Sequence, residues 1–239
     1  MNLRDFKSKS IRITFMKIRK SLVMLSSVAL LVGVIAWSPP NSEDVVVGTS
    51  SMTSPTGALL IVGSGSSGKA KGSLIVGRDH MISEGSGQGE RLGTIVSGTE
   101  NTVDATSSLV SGSNNQVLSA TSTEPRNVGV IGANNLIGTV HGYAIGYTNV
   151  VSGDYGVALG ASNTVASGHG RALGSGLSVT QDNSVALGIW NAPMVTGDLL
   201  VVGNGSSTAR STAMTVKKDG SVLLGKAQGD ISMGIYTGE

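Results

Sequence analysis

The sequence predicts an all-β protein in which the chain winds into a parallel β-roll, or solenoid, of about eleven 14-residue coils. Three observations lead to this fold class. The 239 residues include 35 Gly and no Cys, and only 3% are aromatic, so the core must consist of small side chains in a regular array. Apolar residues still make up 39% of the chain, which argues against disorder. A short apolar phrase ending in glycine also recurs along the chain.

The glycine phrase sets the period of the repeat. Examples are LIVG, IVSG and VALG, and most successive glycines of the phrase are separated by a 14-residue interval, with two longer intervals of 21 and 20. Glycine tolerates positive φ, so we interpret these positions as structural corner residues. They are Gly63, Gly77, Gly98, Gly112, Gly132, Gly146, Gly160, Gly174, Gly188 and Gly203.

A second phrase lies half a repeat later and places an Asn before an apolar or β-branched pair. It occurs at Asn101, Asn115, Asn135, Asn149 and Asn163. A 14-residue repeat has no room for a helix with loops, but it fits two strands of about five residues with tight Gly, Asn and Ser corners. Coils of this kind stack at ~4.8 Å.

The two strands of a coil differ in their exposed faces. The strand that begins at Ser184 and ends at Gly188 is apolar on both faces, whereas the stretch from Asn163 to Ser167 carries one main apolar residue among polar ones. A narrow coil cannot cover both faces of the first strand by itself. We therefore expect the chain to be its own partner, most simply as a homotrimer around the coil axis.

Insertions and a change of pattern interrupt the repeat. The long intervals correspond to the stretches 82–91 and 119–126, which we expect to form outer loops at corners. After the roll, assigned to 45–203, the pair Asp219-Gly220 separates two strand-like runs and predicts a β-hairpin. We expect residues 204–239 to cap the open end of the roll.

The N-terminal segment has the pattern of an export signal. Seven of the 17 Lys and Arg lie at or before Lys20, and the apolar run from Leu22 to Trp37 precedes Ser38 and two prolines. This pattern is typical of a signal peptide or signal anchor at 1–37, predicted to be an apolar helix, with a linker at 38–44. Beyond Trp37 the chain has 10 basic and 14 acidic residues. We therefore expect no nucleic-acid partner, and membrane contact only through the N-terminal segment.

The stretch from Gly132 to Gly188 resembles the head repeats of YadA-type trimeric autotransporter adhesins. The resemblance rests on the Ala-Leu-Gly phrases that end at Gly160, Gly174 and Gly188 and on their 14-residue spacing. It implies a left-handed roll, a homotrimer and attachment to host matrix, other cells or surfaces. That family continues into a stalk and a membrane anchor, whereas this sequence reaches Glu239 without heptads. We expect a head-like module at the cell surface or outside the cell.

Several motifs resemble chemical sites, and we expect none of them to be one. Gly63 to Lys69 fits two nucleotide-binding patterns, but the next coil follows where a helix would have to begin. His80, His141 and His169 lack metal-ligand spacing and are interpreted as surface turn residues. The sequence therefore predicts no catalytic residues, no metal ligands and no cofactor.

The leading functional interpretation is a non-enzymatic surface adhesin or structural fibre head. A phage-like tail fibre or spike is the alternative, favoured by the C-terminal hairpin. A polysaccharide-active solenoid enzyme would need clustered carboxylates. We expect Asp154 and Asp182 to lie two coils apart at different positions of the repeat, and so not to form such a cluster.

Overall fold

The computed structural model describes residues 45–48, 51–53, 59–69, 72–82, 93–118 and 127–225. Over these ranges the chain is an all-β parallel solenoid built mostly from 14-residue repeats, followed by antiparallel strands. The predicted signal at 1–37 and the linker at 38–44 lie outside the described residues, as do nearly all of the two predicted insertions. No helix in the described ranges is long and apolar enough to cross a membrane.

The first sheet forms one side of the solenoid. Eleven strands run parallel in it, each paired with the strand one turn earlier and one turn later. They are β1 (Val45–Val47), β3 (Leu59–Ser64), β5 (Ser73–Arg78), β7 (Ile95–Thr99), β9 (Leu109–Ser113), β11 (Gly129–Ala133), β13 (Tyr143–Tyr147), β15 (Val157–Ala161), β17 (Arg171–Ser175), β19 (Val185–Ile189) and β20 (Asp198–Asn204).

The second sheet forms the opposite side, and its nine strands are shorter. Most contain two residues, where the sequence led us to expect about five. They are β2 (Ser51–Thr53), β4 (Ser67–Lys69), β6 (Met81–Ile82), β8 (Thr102–Val103), β10 (Gln116–Val117), β12 (Leu136–Ile137), β14 (Val150–Val151), β16 (Thr164–Val165) and β18 (Ser178–Val179).

The described residues form about nine two-strand turns, and not the eleven coils that we predicted. The predicted number matches the parallel strands of the first sheet, but β19 and β20 have no partner strands in the second sheet. After β19 the side chain of Asn191 occupies the place where the next strand of the second sheet would pair with β18. Its Oδ1 accepts from the Ser178 backbone N at 2.7 Å, and its Nδ2 donates to the Ser178 carbonyl at 3.0 Å. An amide side chain thus pairs with the backbone N–H and carbonyl of Ser178 at the edge of the second sheet.

Most of the core consists of one inward column from each sheet. Every member of both columns is buried. The first sheet contributes Ile61, Ile75, Val96, Val110, Val130, Ala144, Ala158, Ala172, Ala186 and Val201, and the second contributes Ile82, Val103, Val117, Ile137, Val151, Val165 and Val179. Such small side chains suffice because each is fully enclosed by neighbours above, below and opposite.

The repeat glycines stack directly on one another within the first sheet. Gly146 pairs with Gly160, and Gly160 pairs with Gly174, and the same alignment continues from Gly63 to Gly203. Gly160 has φ +119, and a Cβ there would lie 1.9 Å from the Gly174 carbonyl oxygen. Close backbone stacking therefore requires glycine at this position.

Each coil has two corners. The first corner comes two residues after the repeat glycine, and the second comes just before the next strand of the first sheet. Positive φ is found at Asn114, Asn134 and Ser162 in the first corner and at Asn127, Tyr155 and Asn183 in the second. The glycines that we interpreted as corner residues therefore lie inside strands, next to the first corner. The phrase asparagines, such as Asn149, do not have positive φ.

The predicted C-terminal hairpin is present. Strand β21 (Thr212–Lys217) pairs antiparallel with β20, and β22 (Val222–Leu224) pairs antiparallel with β21. The turn contains Gly220 at φ +85, and the Asp219 carboxylate accepts from the Ser221 backbone N at 2.9 Å. These strands extend the first sheet beyond the last parallel strand.

Candidate functional site: the outer face of the first sheet

The outer face of the first sheet carries two columns of apolar side chains. The strands align residue by residue, so each column runs the length of the parallel sheet. The first outer column comprises Leu60, Leu74, Ile95, Leu109, Gly129, Tyr143, Val157, Arg171, Val185 and Leu200. The middle outer column comprises Val62, Val76, Ser97, Ser111, Ile131, Ile145, Leu159, Leu173, Leu187 and Val202.

Large apolar side chains in these columns are exposed to an unusual degree. Ile145 is 48% exposed, Ile131 is 46% and Tyr143 is 45%, and the others are exposed or half-buried. Scattered apolar residues are normal on a protein surface, but a contiguous patch larger than a few hundred Å² typically marks an interaction site. This face is therefore the strongest candidate for an interaction surface among the described residues.

A shallow groove of ≈ 400 Å³ lies in the middle of this face. Its floor is at Gly129, where the first outer column lacks a side chain, and Ile95, Leu109, Ile131 and Tyr143 line it. The ring of Tyr143 leans over Gly129, because a Cβ there would lie 2.7 Å from Tyr143 Cδ1. The groove is open and apolar.

Polar groups interrupt the face at only a few places. Ser97 donates its hydroxyl hydrogen to Ser111 Oγ at 2.9 Å. Arg171 is the one charged residue of the two outer columns, and its Nη1 donates to the His169 carbonyl at 3.1 Å. That bond directs the guanidinium towards the corner. The two outer columns thus offer a long apolar surface with little charge.

The second corner, between second-sheet and first-sheet strands, carries an aromatic stack. The rings of His141, Tyr155 and His169 are parallel within 7°, with centroid separations of 4.6 and 4.8 Å. All three residues have positive φ. Two of the three histidines that we interpreted as surface turn residues, His141 and His169, thus lie on either side of Tyr155 in one stack. Both insertions also leave and rejoin the solenoid at this corner, after Ile82 and Leu118.

His80 is buried, so its interpretation as a surface residue is wrong. It is 1% exposed and occupies the column of the phrase asparagines. His80 Nδ1 accepts from the Asn101 backbone N at 3.3 Å, and Nε2 lies 3.2 Å from the Val76 carbonyl. The ring therefore substitutes for an asparagine amide. Burial lowers the pKa of His80 from its usual value, despite smaller opposing effects of the Val76 carbonyl and the nearby Asp79.

The asparagine column forms a polar ladder beside the core. Asn149 Nδ2 donates to Asn135 Oδ1 at 3.0 Å and to the Gly160 carbonyl at 2.9 Å. Asn149 Oδ1 in turn accepts from Asn163 Nδ2 at 3.0 Å. Each amide thereby joins three successive turns, and all five phrase asparagines are buried. Hydrogen bonds of this kind offset the cost of burying the amides.

The nucleotide-binding pattern of the sequence does not have the structure that phosphate binding needs. Gly63 to Lys69 covers the end of β3 and all of β4, so the helix that a phosphate loop needs is replaced by a strand. No group of three or more metal-ligating side chains occurs in the part of the chain that the structure describes.

The expectation that Asp154 and Asp182 differ in their position within the repeat is wrong. Asp154 Oδ1 lies 3.3 Å from the Val140 backbone N, and Asp182 Oδ1 lies 2.9 Å from the Gly168 backbone N. Each carboxylate accepts from the residue 14 positions earlier, so the two occupy one column. They lie two turns apart, about 10 Å at the usual strand spacing.

No protein-family model matches the sequence, and the search of curated proteins found no match either. The fold and the geometry therefore define the class: this chain is a parallel β-solenoid repeat protein whose turns follow a 14-residue period.

Proposed function

We propose that this protein is the head-like module of an exported bacterial adhesin or structural fibre, assembled as a homotrimer through the outer face of the first sheet. In this proposal the solenoid is left-handed and of the YadA type, and the N-terminal segment directs export. The observation that carries the proposal is the pair of exposed apolar columns. A second copy of the chain offers the same apolar columns at the same spacing, and burying them removes apolar surface from water.

Assembly would also supply the binding mechanism. A rigid trimer presents every turn three times, so weak contacts with a host matrix, another cell or a surface would act together by avidity. The second corner, with its aromatic stack and the two insertion points, supports this role because in such a trimer it would remain at the periphery.

Cell attachment tests this function. Bacteria exporting the full chain should adhere to surfaces coated with matrix proteins more strongly than bacteria lacking it. Ile131→Lys/Ile145→Lys places charges on the outer face, and should reduce adhesion at least tenfold because monomers lack avidity. Thr164→Lys, on the exposed side of β16, is the matched control and should retain adhesion. Equal adhesion with and without the protein on every surface tried would refute the proposal.

A phage-like fibre component is the second candidate. The hairpin favours it, because Val222, Leu223 and Leu224 of β22 are 55, 51 and 46% exposed. Such an end could join the next segment of a fibre. Isolation of the protein from particles rather than from the cell envelope would favour this candidate.

A further inference from the structure

We propose that Ser97 and Ser111 fix the alignment of the copies, so that each protomer packs parallel to its partners and in register, turn against equal turn. This inference rests on the proposed self-assembly through the outer face of the first sheet. It adds which part of the face determines the arrangement, and which arrangement that is.

A repetitive apolar face has an alignment problem. Most of the middle outer column is Val, Ile or Leu, repeated at a strand spacing of ~4.8 Å. Sliding one copy along another by a whole turn therefore exchanges one aliphatic contact for a similar one. Apolar contacts are non-directional and do not discriminate strongly between such alignments. A specific assembly needs a feature that occurs at only one position along the solenoid axis.

The two serines are that feature. They occupy adjacent turns, on β7 and β9, which are the fourth and fifth of the eleven parallel strands. The bond from Ser97 to Ser111 uses one hydroxyl hydrogen, and within the described residues no acceptor takes the hydrogen of Ser111. A partner aligned in register brings its own serine pair to the same height, where hydroxyls can meet hydroxyls.

The other alignments bury some or all of these hydroxyls against aliphatic side chains. With copies overlapped end to end in antiparallel orientation, the fourth and fifth strands lie opposite the eighth and seventh, so Ser97 faces Leu159 and Ser111 faces Ile145. A parallel slip of one turn keeps one contact between Ser97 and Ser111, but it places the other Ser111 against Ile131 and the other Ser97 against Val76. Burying a hydroxyl without a partner is unfavourable. A single buried polar position fixes alignment in coiled coils by the same principle.

The occupant of this face is a second copy rather than another kind of protein. The two outer columns contain one charged residue, Arg171, and its guanidinium bonds to the chain's own His169 carbonyl. The two outer columns therefore offer little charge for an unlike partner to complement, and the exposed Arg78 lies outside them at the end of β5. The groove at Gly129 lies one turn beyond Ser111, so an in-register partner would place its own Tyr143 close to it.

Single-cysteine cross-linking tests the alignment, and the chain has no native cysteine to interfere. We expect Ile145→Cys, which lies in the middle outer column and leaves both serines intact, to form a disulfide with the same position of another copy under mild oxidation. A disulfide requires Cα atoms within about 7 Å, and a slip of one turn would move equivalent residues further apart. Thr164→Cys, on the second sheet, is the control and should not cross-link.

Mixed pairs then separate the possible alignments. Two differently tagged chains carrying Ile145→Cys and Leu159→Cys should not cross-link to each other in the parent background. In a Ser97→Val/Ser111→Val background the copies should still associate, but this mixed product should rise at least fivefold as the register is lost. Unchanged mixed cross-linking in that background would overturn the assignment of register to the serines.

The outcomes distinguish this inference from the proposed function. Trimers in which Ile145→Cys does not cross-link to itself would overturn the register while leaving self-assembly intact. A protein that remains monomeric at all concentrations would overturn both.

Discussion

The solenoid turns and the C-terminal hairpin are both built from paired strands, yet they differ in what lies beneath those strands. In the turn formed by β15 and β16, the side chains of Ala158, Asn163 and Val165 are fully buried. In the hairpin, every residue of β21 is half-buried and every residue of β22 is exposed. Strand pairing alone therefore does not make a core here. The turns gain theirs from the columns that stack along the solenoid.

The largest difference between the two regions should appear on substituting glycine. Gly160→Ala introduces a Cβ 1.9 Å from a backbone oxygen at φ +119, so we expect a loss of about 3 kcal/mol or more in the free energy of unfolding. Gly220→Ala, in the hairpin, also has positive φ but meets no atom within 4 Å. It should lose only about 1–2 kcal/mol.

Urea denaturation followed by circular dichroism measures both variants. If Gly220→Ala lowers the free energy of unfolding as much as Gly160→Ala does, strain at positive φ alone would explain both losses. Close backbone stacking at Gly160 would then contribute nothing.

The next effect concerns the buried amide ladder. Asn149→Ala removes bonds to Asn135, Gly160 and Asn163 and leaves buried polar groups unpaired, at a cost of about 2–3 kcal/mol. Asn183→Gly is the matched change at an exposed corner, where φ is +60 and glycine fits. It should change stability by no more than about 0.5 kcal/mol. Similar midpoints of unfolding for the two variants would show that the ladder contributes little.

The smallest expected effect is a pH dependence of the free energy of unfolding, caused by His80 at the start of the amide ladder. Burial lowers the pKa of His80 below 6.5, its usual value, so the folded state binds this proton less readily than the unfolded chain does. Stability should be complete above that pH and should fall as the pH drops below it. His80→Asn restores the amide column and should lose less stability between about pH 7.5 and pH 5.5. Parallel losses in the two proteins would rule out the role of His80.

The sequence predicted the period, the pairing of equal positions and the terminal hairpin. These follow from spacing, since a 14-residue repeat that stacks in register aligns Gly146 with Gly160 whatever the details of the turn. The glycine phrase resumes after each of the intervals of 21 and 20 residues, so the strands stay aligned across both insertions. The extra residues could therefore be assigned to corners. The apolar outer strand face was likewise visible from the residues around Val185 and Leu187.

The sequence-based predictions were wrong where one residue type is equally suited to two different local structures. Glycine marks positive φ, but the sequence does not show whether it serves a turn or a strand stacked too closely for a Cβ, as at Gly160. Asparagine suits a corner equally well as a buried ladder, so the sequence did not predict the ladder that contains Asn149. The 21-residue interval from His80 to Asn101, equal to that from Gly77 to Gly98, could have placed this histidine in the ladder.

The mass of the protein in solution tests self-assembly through the first sheet. Because we propose that other copies cover the outer apolar face of this sheet, sedimentation equilibrium of the full chain should give three times the chain mass. Ile131→Lys/Ile145→Lys should give a single chain mass with an unchanged circular dichroism spectrum. A stable monomer of the unmodified chain, with this face open to water, would contradict the account.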